Sequence, residues 1–512
     1  MSFTSWEFLL LLGAALLLYY LLPGRWQWVV LLAANVVFYL WGGVSLALYL
    51  VFATLLTYGA GRWLSRLNGQ KGTVDKAVLK KRKRFVAGAA LLLNFGMLFA
   101  VKYLSGVLYP LGRVLTCRVP AIQLLAPLGI SYFVFQSSGY VIDCYRGKYP
   151  AQTHLGKYAL FTSFFPQMAQ GPISRYHQLG EQLSCSHVLD WENLRQGAEW
   201  MLWGFFKKLV IADRAGVLVE TVFSSYENYS GSIIVLGVAF YCVQLYCDFS
   251  GGIDVARGAA KLFGIDLAEN FRRPIFAVSV TDYWRRWHIT LGSWMRDYVF
   301  YPLSLSKPFA RLGRWSRAHL KGLAGKILPT SLATFIVYFI IGIWHGSNPK
   351  YIVFGLYNGV IITASLLLEP AFQSACDRLH IQREGWPWRI FRMLRTGSIV
   401  FFGRYLTRAE SLTAAGEMLR RTVTQFHFAD LINGTELQLG ISKLDYLVVF
   451  FGVLVLLLLE FCQELGADLP RRLRQKSGPV QYLALLATVT VVLVLGVWIK
   501  GEITTGFIYM QF

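Results

Sequence analysis

The chain has 512 residues, 55% of them hydrophobic and 15% aromatic, with a formal charge of +22 at pH 7. This composition excludes a string of soluble domains and indicates an all-α polytopic integral membrane protein. The basic excess lies in loops between apolar runs, as the positive-inside rule requires, so it does not mark a nucleic-acid binder.

The first apolar run, WEFLLLLGAALLLYYLLP from Trp6, carries Glu7, has no basic residue before it and lacks a small-x-small cleavage pattern. It reads as a retained helix rather than a removed signal peptide. Helices are expected near residues 6–22, 27–41 and 44–60, followed by the loop GRWLSRLNGQKGTVDKAVLKKRKR, residues 61–84, with Asp75 as its only acid. So basic a loop belongs in the cytoplasm, which puts the N-terminus outside. The middle is less regular. YALFTSFFPQMAQGPI is too short and too interrupted by Pro and Gly for a plain span, and fits a re-entrant or interfacial segment. In YCDFSGGIDVARG, Gly251 and Gly252 interrupt an apolar run bordered by Asp248 and Asp254. Two readings stand there: a helix break whose carboxylates cap the next helix, or a direct part in chemistry.

Residues 307–326 and 470–476 are basic and cytoplasmic by the same argument, and RYLTRAESLTAAGEMLRR, residues 404–421, has the spacing of an amphipathic surface helix. The last span, VQYLALLATVTVVLVLGVWIK, runs outward from the basic PRRLRQK. This chain-order reading yields a dozen or so spans, one membrane domain over residues 1–500, and an extracytoplasmic tail over residues 501–512.

Imidazole and charged groups are costly at membrane depth, so those bordering apolar runs are weighed first. His345 ends TFIVYFIIGIWHG, beside Trp344, Gly346 and Ser347; His288 lies in TDYWRRWHITLGSWMRDYVFYPL, flanked by Trp284, Arg285, Arg286 and Trp287. Each reads either as a catalytic group in a dry cavity or as part of an interface anchor. His154, His177, His187, His319, His380 and His427 fall in polar or amphipathic segments and are expected to be solvated. The seven cysteines form no CxxC pair, and no metal site is expected. Nor is there a GxxxxGK[ST], HExxH, GxSxG or strand-linked GxGxxG pattern. What remains suits group transfer by base catalysis, or a proton-coupled transporter or flippase in which Asp248, Asp254 and the two histidines line a path. A transporter would call for broken helices in two matching halves, and the sequence shows none.

The segment YCVQLYCDFSGGIDVARGAAKLFGIDLAENFRRPIFAVSVTDYWRRWHITLGSWMRDYVFYPL, followed by GIWHG, resembles the membrane-bound O-acyltransferase (MBOAT) family. DFSG, ENF, WRRWH, RDY and WHG occur in that family's order. Nearest are its alginate O-acetylation (AlgI) and teichoic-acid D-alanylation (DltB) branches, the length and LAENFRRP favouring the former. The resemblance implies a ring of helices around opposed cytoplasmic and extracellular funnels, His345 as the catalytic residue and His288 as a second functional histidine. It also implies Asp248, Trp284, Arg286, Trp287 and Trp344 as supporting residues. No bound cofactor is implied; the donor is an acyl thioester of coenzyme A (acetyl-CoA) or of an acyl carrier protein. An extracytoplasmic SGNH or serine esterase-like acyltransferase would be the partner, the membrane lipid would surround the chain, and D-alanyl transfer is the alternative activity.

Residues 507–512, FIYMQF, resemble the FIYxxF sequence that ends a small membrane protein of D-alanylation systems. Tyr509, between Phe507 and Phe512, is then a candidate transient acyl acceptor. From Lys500 the strand could reach about 30 Å, and a phenol of pKa about 10 is within range of a histidine base. The other reading is an aromatic belt at the membrane interface.

Overall fold

A computed structural model describes residues 1–114, 126–168 and 170–498. Among the described residues the fold is helical, and the β pairing consists of two isolated bridges, Lys71 with Val74 and Phe271 with Trp287. Seven helices are long and apolar enough to cross a membrane: Val44–Gly69, Lys76–Leu104, Gly231–Leu262, Gly322–His345, Pro349–Arg378, Lys443–Glu464 and Gly478–Leu495. Trp6–Leu21 is a shorter apolar helix. The expected dozen is therefore not reached by this measure. Trp386–Arg408 is 23 residues long but carries Arg389, Arg392, Arg395, Arg404 and Arg408, and the helical stretch from Trp191 to Ser224 carries Lys207, Lys208 and Asp213.

The described residues divide into two compact units. The first holds residues 1–205 and 252–269. Its N-terminal helices fall at Trp6–Leu21, Gln27–Leu40 and Val44–Gly69, so the third runs on through GRWLSRLNG and leaves only a short turn before Lys76. Buried polar side chains join its helices. Asn94 Nδ2 donates to Ser137 and Ser138 Oγ at 3.0 and 2.9 Å, and Asn35 Nδ2 donates to Ser163 at 2.9 Å. Such bonds replace the hydrophobic drive that lipid does not supply between helices. YALFTSFFPQMAQGPI is broken as expected, into helices Leu155–Ser163 and Phe165–Met168, the second of them buried throughout. His187 is half-buried rather than solvated, its Nδ1 2.9 Å from the Tyr19 hydroxyl.

The second unit holds residues 206–251 and 270–498 of the described chain. DFSGGID does not break a helix: Gly231–Leu262 is continuous through both glycines. The expected surface helix over 404–421 is also replaced. Trp386–Arg408 ends at Arg408, Ser411 caps a new helix by accepting from the Ala414 N–H, and that helix runs Leu412–Thr424. A free hydroxyl three residues before a helical N–H is a better start signal than the apolar spacing across it.

Candidate active site

The WHG segment is shaped by a helix hairpin. Gly322–His345 stops at His345; Gly346 and Ser347 turn the chain; Asn348 accepts from the Lys350 N–H at 3.1 Å, and Pro349 opens the next helix. The two helices pack backbone to backbone. A Cβ at Gly342 would lie 2.6 Å from the Tyr351 carbonyl oxygen, and one at Gly355 would lie 2.3 Å from that of Tyr338. Any larger residue would wedge the hairpin open and move His345. The half-buried His345 ring sits among Trp344 (4.7 Å between centroids), Tyr351 (5.9 Å) and Phe354 (6.1 Å).

The second histidine comes from a different device. The ENFRR and RRWHI segments clamp each other: Arg272 N–H donates to the Arg286 carbonyl at 2.9 Å, and Ile289 N–H to the Asn270 carbonyl at 3.0 Å. Where the clamp ends, His288 adopts φ 47° and ψ 52°, the left-handed region, as the residue before helix Ile289–Met295. That conformation is unfavourable for an L residue, though His tolerates it better than most. Asn270 holds the result in place. Its Oδ1 lies 3.0 Å from the Thr290 N–H, 2.8 Å from Thr290 Oγ1 and 3.2 Å from His288 Nδ1.

The tautomer follows from that arrangement. A backbone N–H can only donate, so the Asn270 atom facing it is oxygen, and His288 Nδ1 must carry the proton it shares with that oxygen. Nε2 is then the lone-pair nitrogen. Burial, with the neighbouring His345 as a second cause, pulls the His288 imidazole down to about 3. It is a neutral ring at physiological pH.

Trp344 stands between the two histidines, with its ring centroid 6.0 Å from that of His288. Phe249 closes on His288 edge-on at 4.9 Å. The structure thus assembles His345, His288 and Trp344, each from the expected positions. Trp284 supports the group: its Nε1 donates to Asn358 Oδ1 at 3.1 Å, and its ring meets Phe354, which also faces His345. Trp287 is a wall rather than a ligand. It stacks on Tyr283 at 5.6 Å with the Arg404 guanidinium 5.2 Å from its ring.

Two expected supporting residues act elsewhere. Arg286 is bonded to Asp282 at 3.1 Å and to Glu464 at 3.0 Å, in a cluster that includes Arg273 and Arg389. Asp248 neither caps a helix nor borders a break. It accepts from Lys208 Nζ at 2.5 Å, and the same ammonium lies 2.8 Å from Asp213. Lys207 donates to Ser250 at 2.9 Å. Lys207, Lys208, Asp213, Asp248 and Ser250 are all buried. Sequence reasoning missed Lys207, Lys208 and Asp213 as well as Asn270 and Thr290. The signal for the lysines was present in FFKKLVIADR, charges within an apolar run; the signal for Asn270 was the ENF motif. Tyr509, Phe507 and Phe512 lie outside the described residues. Among the described residues, no three His, Cys, Asp or Glu side chains converge as a metal-holding group.

Comparison with known proteins identifies the family. The sequence profile of MBOAT, the membrane-bound O-acyltransferase family, matches residues 121–317. The chain is also 31% identical over 464 residues to the probable alginate O-acetylase AlgI of Pseudomonas aeruginosa, covering 88% of this chain and 82% of that protein. The chain belongs to the MBOAT family. This MBOAT protein is also 28% identical over 367 residues to the peptidoglycan O-acetyltransferase of Helicobacter pylori, covering 67% of this chain and 65% of that protein. With the teichoic acid D-alanyltransferase of Bacillus subtilis it shares 29% identity over 252 residues, 48% of this chain and 60% of that one. The MBOAT chain is accordingly a multi-pass membrane O-acyltransferase of the AlgI-like kind, and its relatives differ in acyl group and polymer.

Proposed function

We propose that this O-acyltransferase moves an acetyl group from a cytoplasmic thioester, of coenzyme A or of a carrier protein, toward an extracellular polysaccharide. The observation that carries the reading is the meeting of His345 and His288 about Trp344, in a shell of Phe249, Tyr351 and Phe354. Apolar walls limit water and strengthen whatever electrostatic contacts the reacting groups make. His345 acts as general base. His288, protonated on Nδ1, offers Nε2 as an acceptor, so it orients a donor N–H or O–H rather than polarising the thioester carbonyl.

Tyr509 is the transient acceptor in this scheme. His345 takes the phenol proton as the phenolate oxygen attacks the thioester carbonyl; the C–O bond forms, the C–S bond breaks, and the imidazolium returns its proton to the departing thiolate. The aryl ester has a good leaving group and passes its acetyl to the serine of an extracytoplasmic esterase-like partner. Both termini lie outside the cytoplasm in this topology, as the basic loops require. The extent of the AlgI match, 88% of the chain against 48% for the D-alanyltransferase, favours acetyl over D-alanyl.

The test is mass measurement of the purified protein after incubation with labelled acetyl-CoA and, separately, with a labelled acyl carrier protein. Label on the peptide containing Tyr509 is expected, with a loss of about 10²–10⁴-fold in rate for His345→Ala, the range of a general base. Full transfer by Tyr509→Phe would sink the relay while leaving the base in place.

A further inference from the structure

The second unit contains a cavity of about 260 Å³ apart from the two histidines. It is almost wholly apolar, walled by Val243, Ile275, Val400, Phe401, Val453 and Leu457, with Arg404 and Glu460 as its charged groups. Glu460 accepts from the Tyr246 hydroxyl and Arg404 donates to that of Tyr283, so both polar groups have partners at the wall. Ile275 and Gly397 line it and are exposed, so it has a mouth on the outer face of the unit.

Arginines surround one end of this cavity. Arg395 directly precedes the lining residue Thr396, Arg273 precedes Pro274, and Arg286 precedes Trp287; Glu464 lies one turn beyond Glu460. Arg273 and Arg286, together with Arg389, share the single carboxylate of Glu464. Arg392 and Arg395 instead converge on one neutral acceptor, the Val278 carbonyl, at 3.3 and 3.2 Å. Two guanidiniums side by side on a carbonyl form a cradle for a further anion, since each has five N–H donors.

The depth of the cradle is marked by its neighbours. Trp386, Ile390, Phe391 and Leu394 are exposed on the same stretch of helix, and Trp388 stacks on Phe391 at 5.0 Å. Aromatic side chains with arginines beside exposed aliphatic residues are the signature of the headgroup level. The basic PRRLRQK follows Glu464 in the chain, which assigns this end to the cytoplasmic leaflet, where anionic lipids concentrate.

We propose that this cavity and cradle form a binding site for an anionic phospholipid of the cytoplasmic leaflet, with one acyl tail in the cavity and the phosphate on Arg392 and Arg395. A soluble anion would use the arginines and leave the cavity unfilled; the apolar slot beneath them is what selects a lipid. Because Trp287 is a wall of the cavity and adjoins His288, the bound tail braces the backbone clamp that carries this histidine. The site depends neither on the identity of the acyl donor nor on Tyr509.

The experiment is native mass spectrometry of the full chain released from nanodiscs of mixed phosphatidylglycerol and phosphatidylcholine. Two variants are compared with the unaltered chain. Arg392→Ala with Arg395→Ala removes the cradle. Gly397→Trp fills the mouth, where a Cβ meets no atom within 4 Å. Retained phosphatidylglycerol in the unaltered chain, reduced about 10-fold or more by either variant at unchanged melting temperature, supports the site; two charge-assisted bonds account for that size. Equal retention of the two lipids, or indifference to Gly397→Trp, overturns it. Glycerol phosphate competing as well as the lipid would show a free-phosphate site, and displacement by a long-chain acyl-CoA at equal concentration would show a donor subsite. Either result also overturns the proposal.

Discussion

Two buried polar groups in the second unit, a few helices apart in sequence, are built on opposite principles. Around Lys208 charge meets charge: Asp248 and Asp213 lie within 2.8 Å of the ammonium, and the neighbouring Lys207 donates to Ser250. Around His288 and His345 there is an amide, a hydroxyl and a shell of rings, and the His288 imidazole is held neutral. Charges at membrane depth are stable only when paired, and a paired charge is unavailable to a substrate. Chemistry falls to groups that start neutral, because a proton passed from a neutral acceptor to a neutral base brings no net charge into a dry site.

The contrast can be broken most forcefully at Lys208. Lys208→Met removes the ammonium that Asp213 and Asp248 share and should cost about 3–5 kcal/mol, the usual penalty for half of a buried pair. Thermal unfolding of the purified protein reads this. Adding Asp248→Asn should recover part of the loss, with transfer per folded molecule unchanged. A transporter-like proton path through Asp248 would instead lose activity in both variants without losing stability.

Acid sharpens the other side. His288 is pulled down to about 3 in the fold, against about 6.5 in an unfolded chain. Between those values the unfolded state binds more protons, so stability rises with pH. The contribution is fully present above about pH 6.5 and is lost as pH falls toward 3. A melting series across that window should lose this slope in His288→Gln.

Asn270→Ala comes next. It removes the acceptor shared by His288 and the two donors of Thr290, and a fall in kcat of about 10–100-fold is expected, with little change in KM, since the residue positions a group rather than binding substrate. Asn270→Asp, which keeps the oxygen, should restore most of it; a purely structural role would not distinguish the two. Smallest is Trp284→Phe, which forfeits one hydrogen bond to Asn358 and should cost about 1 kcal/mol in stability.

Much of this was legible in sequence, and the pattern of what was not is physical. Apolar runs marked the long helices because length and hydropathy are local properties. His345 and His288 were legible because imidazoles bordering such runs are rare, and because WRRWH and WHG stand in a known order. Asp248 was visible but misread: its partner Lys208 comes 40 residues earlier in the chain, and no local pattern links them. The two glycines after Asp248 imitate a helix break, yet tertiary packing carries the helix through them. Arg404 looked like the start of a surface helix, but it is buried against Trp287, and Ser411 starts that helix instead. Asn270 was in plain view in ENF, where nothing local says that its amide will fix a tautomer.

The left-handed backbone at residue 288 has a consequence for anyone who evolves or redesigns this protein. The main chain there prefers glycine or asparagine, so a campaign that selects only for heat resistance would drift toward those residues and be rewarded for it. With the role proposed for His288, robustness and competence pull in opposite directions at this one position. A thermostable variant should therefore be sequenced at codon 288 before its silence is blamed on the assay.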